Sequence, residues 1–144
     1  MEQEILLDTN VLSELMRPQP DVHVLSWFGL NTEAGYYISA VTQAEILLGI
    51  SLLPAGKRQT GLADAATEMF SEEFSGRCLP FDEQSAKIYA ELVAARTRAG
   101  QPISTEDAQI AAIALSNRLC LATRNVKDFT GIAKLALVNP WNHP

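Results

Sequence analysis

Five short apolar runs divide this chain, and the stretches between them are long enough for one or two helices each. That spacing restricts the fold more than any single residue does. The runs are a strand over 4–8 in "EILLD", then "YYISA", "RCLPF", "LCLAT" and "LALVN". Their near-continuous apolar character suits strands covered on both faces, not strands with one face in water. Between them the period changes to that of helices. One helix is predicted over about 10–17, with Val11, Leu12, Leu15 and Met16 inward, and a second over about 21–30, with Val24, Leu25 and Phe28 inward. Others run from Val41 towards Leu53, over 57–74, from an Asp82 cap to about Ala99 on Ile88, Tyr89, Leu92 and Val93, and from Ser104 to about Asn117. Pro18, Pro20, "PAG" and "GQP" mark the breaks. Strand and helix in alternation predict an α/β fold, with a parallel sheet between helices on both faces.

With 144 residues, no internal repeat and no linker-like stretch, residues 1–144 are expected to form one domain. The N-terminal "MEQE" has two acids and no basic region, unlike a signal peptide. No apolar run approaches the roughly 20 residues that cross a bilayer, so the cytoplasm is the expected location, with no membrane contact. Cys78 and Cys120 lie in strand-like runs without CxxC spacing, and they are expected to pack as small hydrophobes. His23 is expected on a helix surface and His143 in a terminal tail over 142–144, so neither suggests a zinc site. The net charge of −6, from 17 acids and 11 bases, argues against a basic surface spread over the whole chain.

In a parallel sheet, ligands gather outside the carboxyl ends of the strands, and Asp8 lies at such an end. Two further acids sit on apolar helical stripes. Glu45, in "VTQAEILLGISLL", shares its face with Leu48, Gly49 and Leu52. Asp107, in "STEDAQIAAIAL", shares its face with Ile110, Ala111 and Ala114, whereas Glu106 faces Gln109. Each acid has an ordinary explanation as well. Thr42 to Glu45 and Ser104 to Asp107 have capping-box spacing, and Asp8 suits the cap of a helix beginning at Asn10. Capping alone, however, gives no reason for all three to face one sheet edge.

Converging carboxylates repel, by about 4 kcal/mol for two charges about 4 Å apart at an effective dielectric near 20. A divalent ion relieves that repulsion, and carboxylates without histidine or thiolate suit Mg²⁺ or Mn²⁺. Such an ion activates water and neutralises phosphate oxygens, as phosphodiester hydrolysis requires. Beyond "LCLAT", the segment "TRNVKDF" adds Asn125 and Asp128, with Arg124 and Lys127 beside them. An Asx cap in a loop is the ordinary account of Asp128. Arg124 is the basic residue best placed to meet an RNA phosphate. Trp27 and Trp141 read as packing residues.

The stretches "LLDTNVLSE", "SAVTQAEILLG", "ISTEDAQIAAIA" and "ATRNVKDF" resemble, in order and spacing, the four blocks of PIN-domain ribonucleases. Within that family the chain is similar to VapC-type toxins of type II toxin–antitoxin pairs, in the FitB/StbB-like branch. "LPFDEQSAKIYAEL" and the closing "NPW" add to the likeness, which covers about residues 5–141. The resemblance implies a PIN-like three-layer α/β/α sandwich with a central parallel sheet. It implies catalytic, metal-binding carboxylates at Asp8, Glu45 and Asp107, with Thr9 supporting the first, and Mg²⁺ or Mn²⁺ as cofactor. It also implies a homodimer and neutralisation by a VapB/FitA-like DNA-binding antitoxin whose tail enters the acidic groove. The family's fourth acid often follows "TR" directly. Asn125 stands there, leaving Asp128 as a substitute or three carboxylates as the full set.

The leading expectation is a metal-dependent endoribonuclease toxin acting on RNA. A receiver-like phosphoacceptor is the alternative from another class, since such domains also cluster acids at strand ends; its acceptor here would be Asp82. A catalytically silent PIN-like module that only holds a partner is the third reading, favoured by Asn125. A haloacid-dehalogenase phosphatase is excluded because "DTNVL" lacks the second aspartate of D-x-D.

Overall fold

The structure, a computed structural model, describes residues 3–142. His143 lies outside them. The elements are β1 (Glu4–Leu7), α1 (Thr9–Leu15), α2 (Val22–Leu30), β2 (Gly35–Ser39), α3 (Ala40–Ser51) and α4 (Lys57–Glu68). They continue with β3 (Cys78–Leu79), α5 (Glu83–Arg98), α6 (Thr105–Ser116), β4 (Cys120–Ala122), α7 (Val126–Phe129) and β5 (Leu137–Val138). A 3₁₀ turn at Pro140–Asn142 follows, so Asn142 ends an ordered turn where a tail was expected.

All five strands are parallel, in the order β3-β2-β1-β4-β5. β1 is central, and its side chains alternate between two cores. Ile5 and Leu7 pack with Val11, Leu12, Trp27, Ile46 and Ile50 from α1, α2 and α3. Leu6 packs on the other face with Leu92 of α5, the Ala108–Ala114 stretch of α6, and Phe129 of α7. These are the three layers, α/β/α. The chain builds outward from β1 to β3 with helices on one face. It then crosses back to β4 and β5 with helices on the other face, as a constant crossover handedness requires.

The structure moves several boundaries and faces. α2 buries Trp27, at 5% exposure, while Leu25 is 47% exposed, so the inward stripe is Val24, Trp27 and Phe28. The larger ring takes the inner position, and its edge meets the Phe28 ring at 4.8 Å between centroids. The helix expected over 57–74 ends in a π turn at Met69–Glu73, which brings Phe74 into the core. "RCLPF" and "LALVN" supply only two paired residues each, as edge strands do. In "TRNVKDF", one helical turn, α7, replaces the expected loop and buries Phe129. Cys78 and Cys120 are half-buried free thiols against the first core, and burial raises the pKa of both. Among the described residues no helix is long and apolar enough to cross a membrane.

Candidate active site

The sheet's connections diverge between β1 and β4, and in doubly wound sheets this is where a crevice opens at the strands' carboxyl ends. Asp8 follows β1 directly there, only 4% exposed. Its backbone N–H continues the ladder by donating to the Ala122 carbonyl at 2.9 Å. Its side chain caps α1, with Oδ1 accepting from the Thr9 N–H at 2.8 Å. α1 thus begins at Thr9, one residue earlier than expected. Oδ2 accepts from the Thr123 hydroxyl at 2.7 Å, across the crevice. Both bonds favour the carboxylate, yet its pKa rises from 3.8 to about 6. Burial is the main cause, and the charges of Asp107 and Glu45 push the same way.

Glu45 reaches the site by a route other than the one its sequence neighbours suggest. Leu48 and Leu52 are 59% and 76% exposed, so the stripe that Glu45 heads points away from the sheet. The inner face of α3 carries Thr42, Ile46 and Ile50. Nor is Thr42 the cap: Ser39 caps α3 by accepting the Thr42 N–H at 3.0 Å. Glu45, in the second turn, accepts the Thr9 hydroxyl at 2.7 Å on Oε1, and that hydroxyl also meets the Thr42 hydroxyl at 3.0 Å. Thr9 therefore links the Asp8 cap to Glu45 through its N–H and its hydroxyl.

Asp107 lies on the buried stripe expected of it, above Ile110, Ala111 and Ala114. Its N–H donates to the Ser104 hydroxyl at 3.1 Å, so the capping reading also holds. Its carboxyl pKa is raised, chiefly by burial, with added repulsion from Asp128, Glu45 and Glu106. Asp128 sits within the first turn of α7 and not at its cap, and it lines a cleft of about 680 Å³ together with Asp107, Arg96 and Lys127. Asn125 takes the cap position without a side-chain cap bond, and its N–H donates to the Thr123 hydroxyl at 3.1 Å. The exposed Arg124 lies over the Trp141 ring at 5.0 Å, and its backbone N–H donates to Asn10 Oδ1 at 3.2 Å.

Thr123 and Asn10 went unnoticed in the sequence. Thr123 is fully buried and holds Asp8 on one side and Asn125 on the other. The only sequence signal for it is a hydroxyl at a strand's carboxyl end, and that signal becomes informative only when β4 is known to lie beside β1. Asp82, the acceptor of the receiver-like alternative, caps α5 by accepting the Ser85 N–H at 2.9 Å.

The PIN domain family model matches residues 5–135, a span that contains the crevice and every acid around it. The chain belongs to the PIN-domain family. Among curated PIN relatives it is 44% identical over 137 residues to plasmid stability protein StbB of Pseudomonas syringae pv. tomato, covering 95% of this chain and 98% of that one. It is 41% identical to Toxin FitB of Neisseria gonorrhoeae, covering 96% and 99%. It is 39% identical to VapC ribonuclease Y4jK of Sinorhizobium fredii, covering 95% and 97%. A solved structure of FitAB bound to an IR36 DNA fragment superposes with a TM-score of 0.86 at 40% identity, covering 97% of both chains. The PIN fold is therefore shared along nearly the whole length.

Proposed function

We propose that this PIN-domain protein is an endoribonuclease toxin whose Asp8, Glu45 and Asp107 hold a divalent ion, Mg²⁺ or Mn²⁺. The observation that carries this reading is Asp8. It is a buried carboxylate at the sheet's switch point, opposed by two further acids, in a family with a relative named as a ribonuclease. The donor set is all hard oxygen, which fits such an ion. Among the described residues no group of three His, Cys, Asp or Glu side chains is placed to hold an ion. The proposed ion is one, such as Mg²⁺, that keeps several of its waters. When bound, it supplies an activated water and neutralises charge on the phosphate oxygens.

The chain's own part is orientation. Thr9 N–H and Thr123 hydroxyl aim the Asp8 carboxylate, Thr9 hydroxyl fixes Glu45, and Ser104 anchors the first turn that carries Asp107. Thr9 thus supports the first carboxylate through its N–H and the second through its hydroxyl. Asp128 joins from the neighbouring cleft, and the exposed Arg124 is the proposed contact for an RNA phosphate. In purified protein supplied with Mg²⁺, Asp8→Asn should abolish RNA cleavage. A variant that cuts as fast as the parent would refute the assignment.

The partner proposed is a basic, DNA-binding antitoxin of the VapB/FitA type, as in the FitAB–DNA structure. The net charge of −6 favours a basic segment. An apolar hollow of about 540 Å³, lined by Thr9, Met16, Glu45, Ile46, Ile50 and Leu62, reaches the acids from the α1–α3 side. A homodimer is proposed from the exposed leucines of α3. A single PIN-like domain over residues 1–144 is part of the proposal.

A further inference from the structure

Arg96 donates hydrogen bonds to backbone in two separate segments beside the acids. This half-buried guanidinium on α5 forms part of the wall of the Asp107–Asp128 cleft. Nε donates to the Gln101 carbonyl at 3.0 Å, Nη1 to the Thr130 carbonyl at 2.8 Å, and Nη2 to the Asp128 carbonyl at 2.9 Å. Its own carbonyl accepts the Gln101 N–H at 2.9 Å. Among the described residues no carboxylate lies within ion-pairing distance of it. Its donors go to backbone.

Those carbonyls belong to the two segments that carry acids. Gln101 begins the loop that leads to Ser104, the cap of α6, and so to Asp107. Asp128 and Thr130 end α7, a single turn of four residues whose N-cap, Asn125, makes no side-chain bond and whose C-cap, Thr130, donates its hydroxyl to the Val126 carbonyl at 2.9 Å. One turn does not hold itself together, and the carbonyls at its end need donors from outside. Phe129 anchors it in the core, and Arg96 supplies those donors. A guanidinium does this as a rigid planar fork, whereas an ammonium is a single point.

We propose that Arg96 is a positioning residue: it ties the approach to α6 to the end of α7, places Asp128 across the cleft from Asp107, and thereby makes Asp128 the fourth carboxylate of the ion site. The proposal rests on the metal-dependent reading above. It supplies a fourth carboxylate where Asn125, whose side chain is exposed and makes no cap bond, has none to offer.

The test is Mn²⁺ titration calorimetry on the full chain, with thermal melts to verify folding of each variant. Arg96→Ala and Asp128→Asn should each weaken Mn²⁺ binding about tenfold, the loss usual when a group that orients a ligand is removed. Arg96→Lys should weaken it too, since one ammonium does not span three carbonyls. The double variant should bind no more weakly than Asp128→Asn alone, because Arg96 acts through Asp128. Parent-like affinity in either single variant, or losses that multiply in the double, would overturn the proposal. If Arg96→Ala does not fold, Arg96→Lys and its double with Asp128→Asn decide by the same comparison. Binding lost in Asp8→Asn but unchanged in the Arg96 variants removes this inference alone. A parent protein that takes up no Mn²⁺ removes the metal-dependent reading with it.

Discussion

Burial outweighs two hydrogen bonds at Asp8, and the consequence is a strained ionised state at neutral pH. Below pH 3.8 the group is protonated in both folded and unfolded chains and has no effect on the balance. Between 3.8 and about 6 the folded chain holds the extra proton, so stability falls as pH rises, and above about 6 the full penalty applies. At about 1.4 kcal/mol per pH unit the rise amounts to something on the order of 3 kcal/mol. Asp107 pushes in the same direction. Asp8→Asn should therefore stabilise the metal-free protein at pH 7.5 by up to that amount, and much less at pH 4.5. Urea unfolding at the two pH values measures it, and a variant no more stable than the parent at pH 7.5 would contradict the burial argument. Thr123→Val tests the same site from β4. It keeps the shape but removes a donor to a buried charge, so it should cost about 2 kcal/mol in the same assay at pH 7.5, while Thr123→Ser costs less. Asp8 and Asp107 were legible as candidates because a strand end and a buried helical stripe are local patterns. Thr123 was not, because its role is set by a neighbouring strand 115 residues away in the chain.

Among the elements, α3 separates what periodicity tells from what packing decides. Its apolar residues cover more than one face, and the stripe that periodicity turns to the sheet, Leu48, Gly49 and Leu52 behind Glu45, is not the one the sheet took. The sheet took Thr42, Ile46 and Ile50, and Leu47, Leu48 and Leu52 were left 39%, 59% and 76% exposed. A row of exposed leucines on one helix calls for a cover. Leu48→Glu with Leu52→Glu should convert the proposed homodimer to a monomer with the fold retained, which sedimentation and circular dichroism together would establish. A dimer unaffected by both charges would move the interface elsewhere. α2 and α7 repeat the lesson at smaller size. Val24 and Phe28 were legible, Trp27 displaced Leu25 by virtue of its area, and α7 exists because Phe129 and Arg96 hold a turn that its own four residues do not.

For the whole molecule, the acids come from α3, α6, α7 and the end of β1, so any ion they share binds only the folded chain. Its binding should raise the melting temperature, with the stabilisation reaching about 2.7 kcal/mol when the ion is a hundredfold above its dissociation constant. Thermal melts with and without Mn²⁺ measure this, and the shift should vanish in Asp8→Asn. An equal shift in that variant would show that the ion binds elsewhere. Short-range periodicity and chain stiffness over a few residues suffice for the alternation of elements, the parallel sheet and the candidate acids, so these are legible in the amino-acid order alone. The tertiary structure decided the strand order, the outward turn of the leucines on α3, the pairing of Thr123 with Asp8 and the clamp at Arg96. Each of those depends on contacts between segments far apart in the chain, and no local pattern encodes the geometry of such contacts.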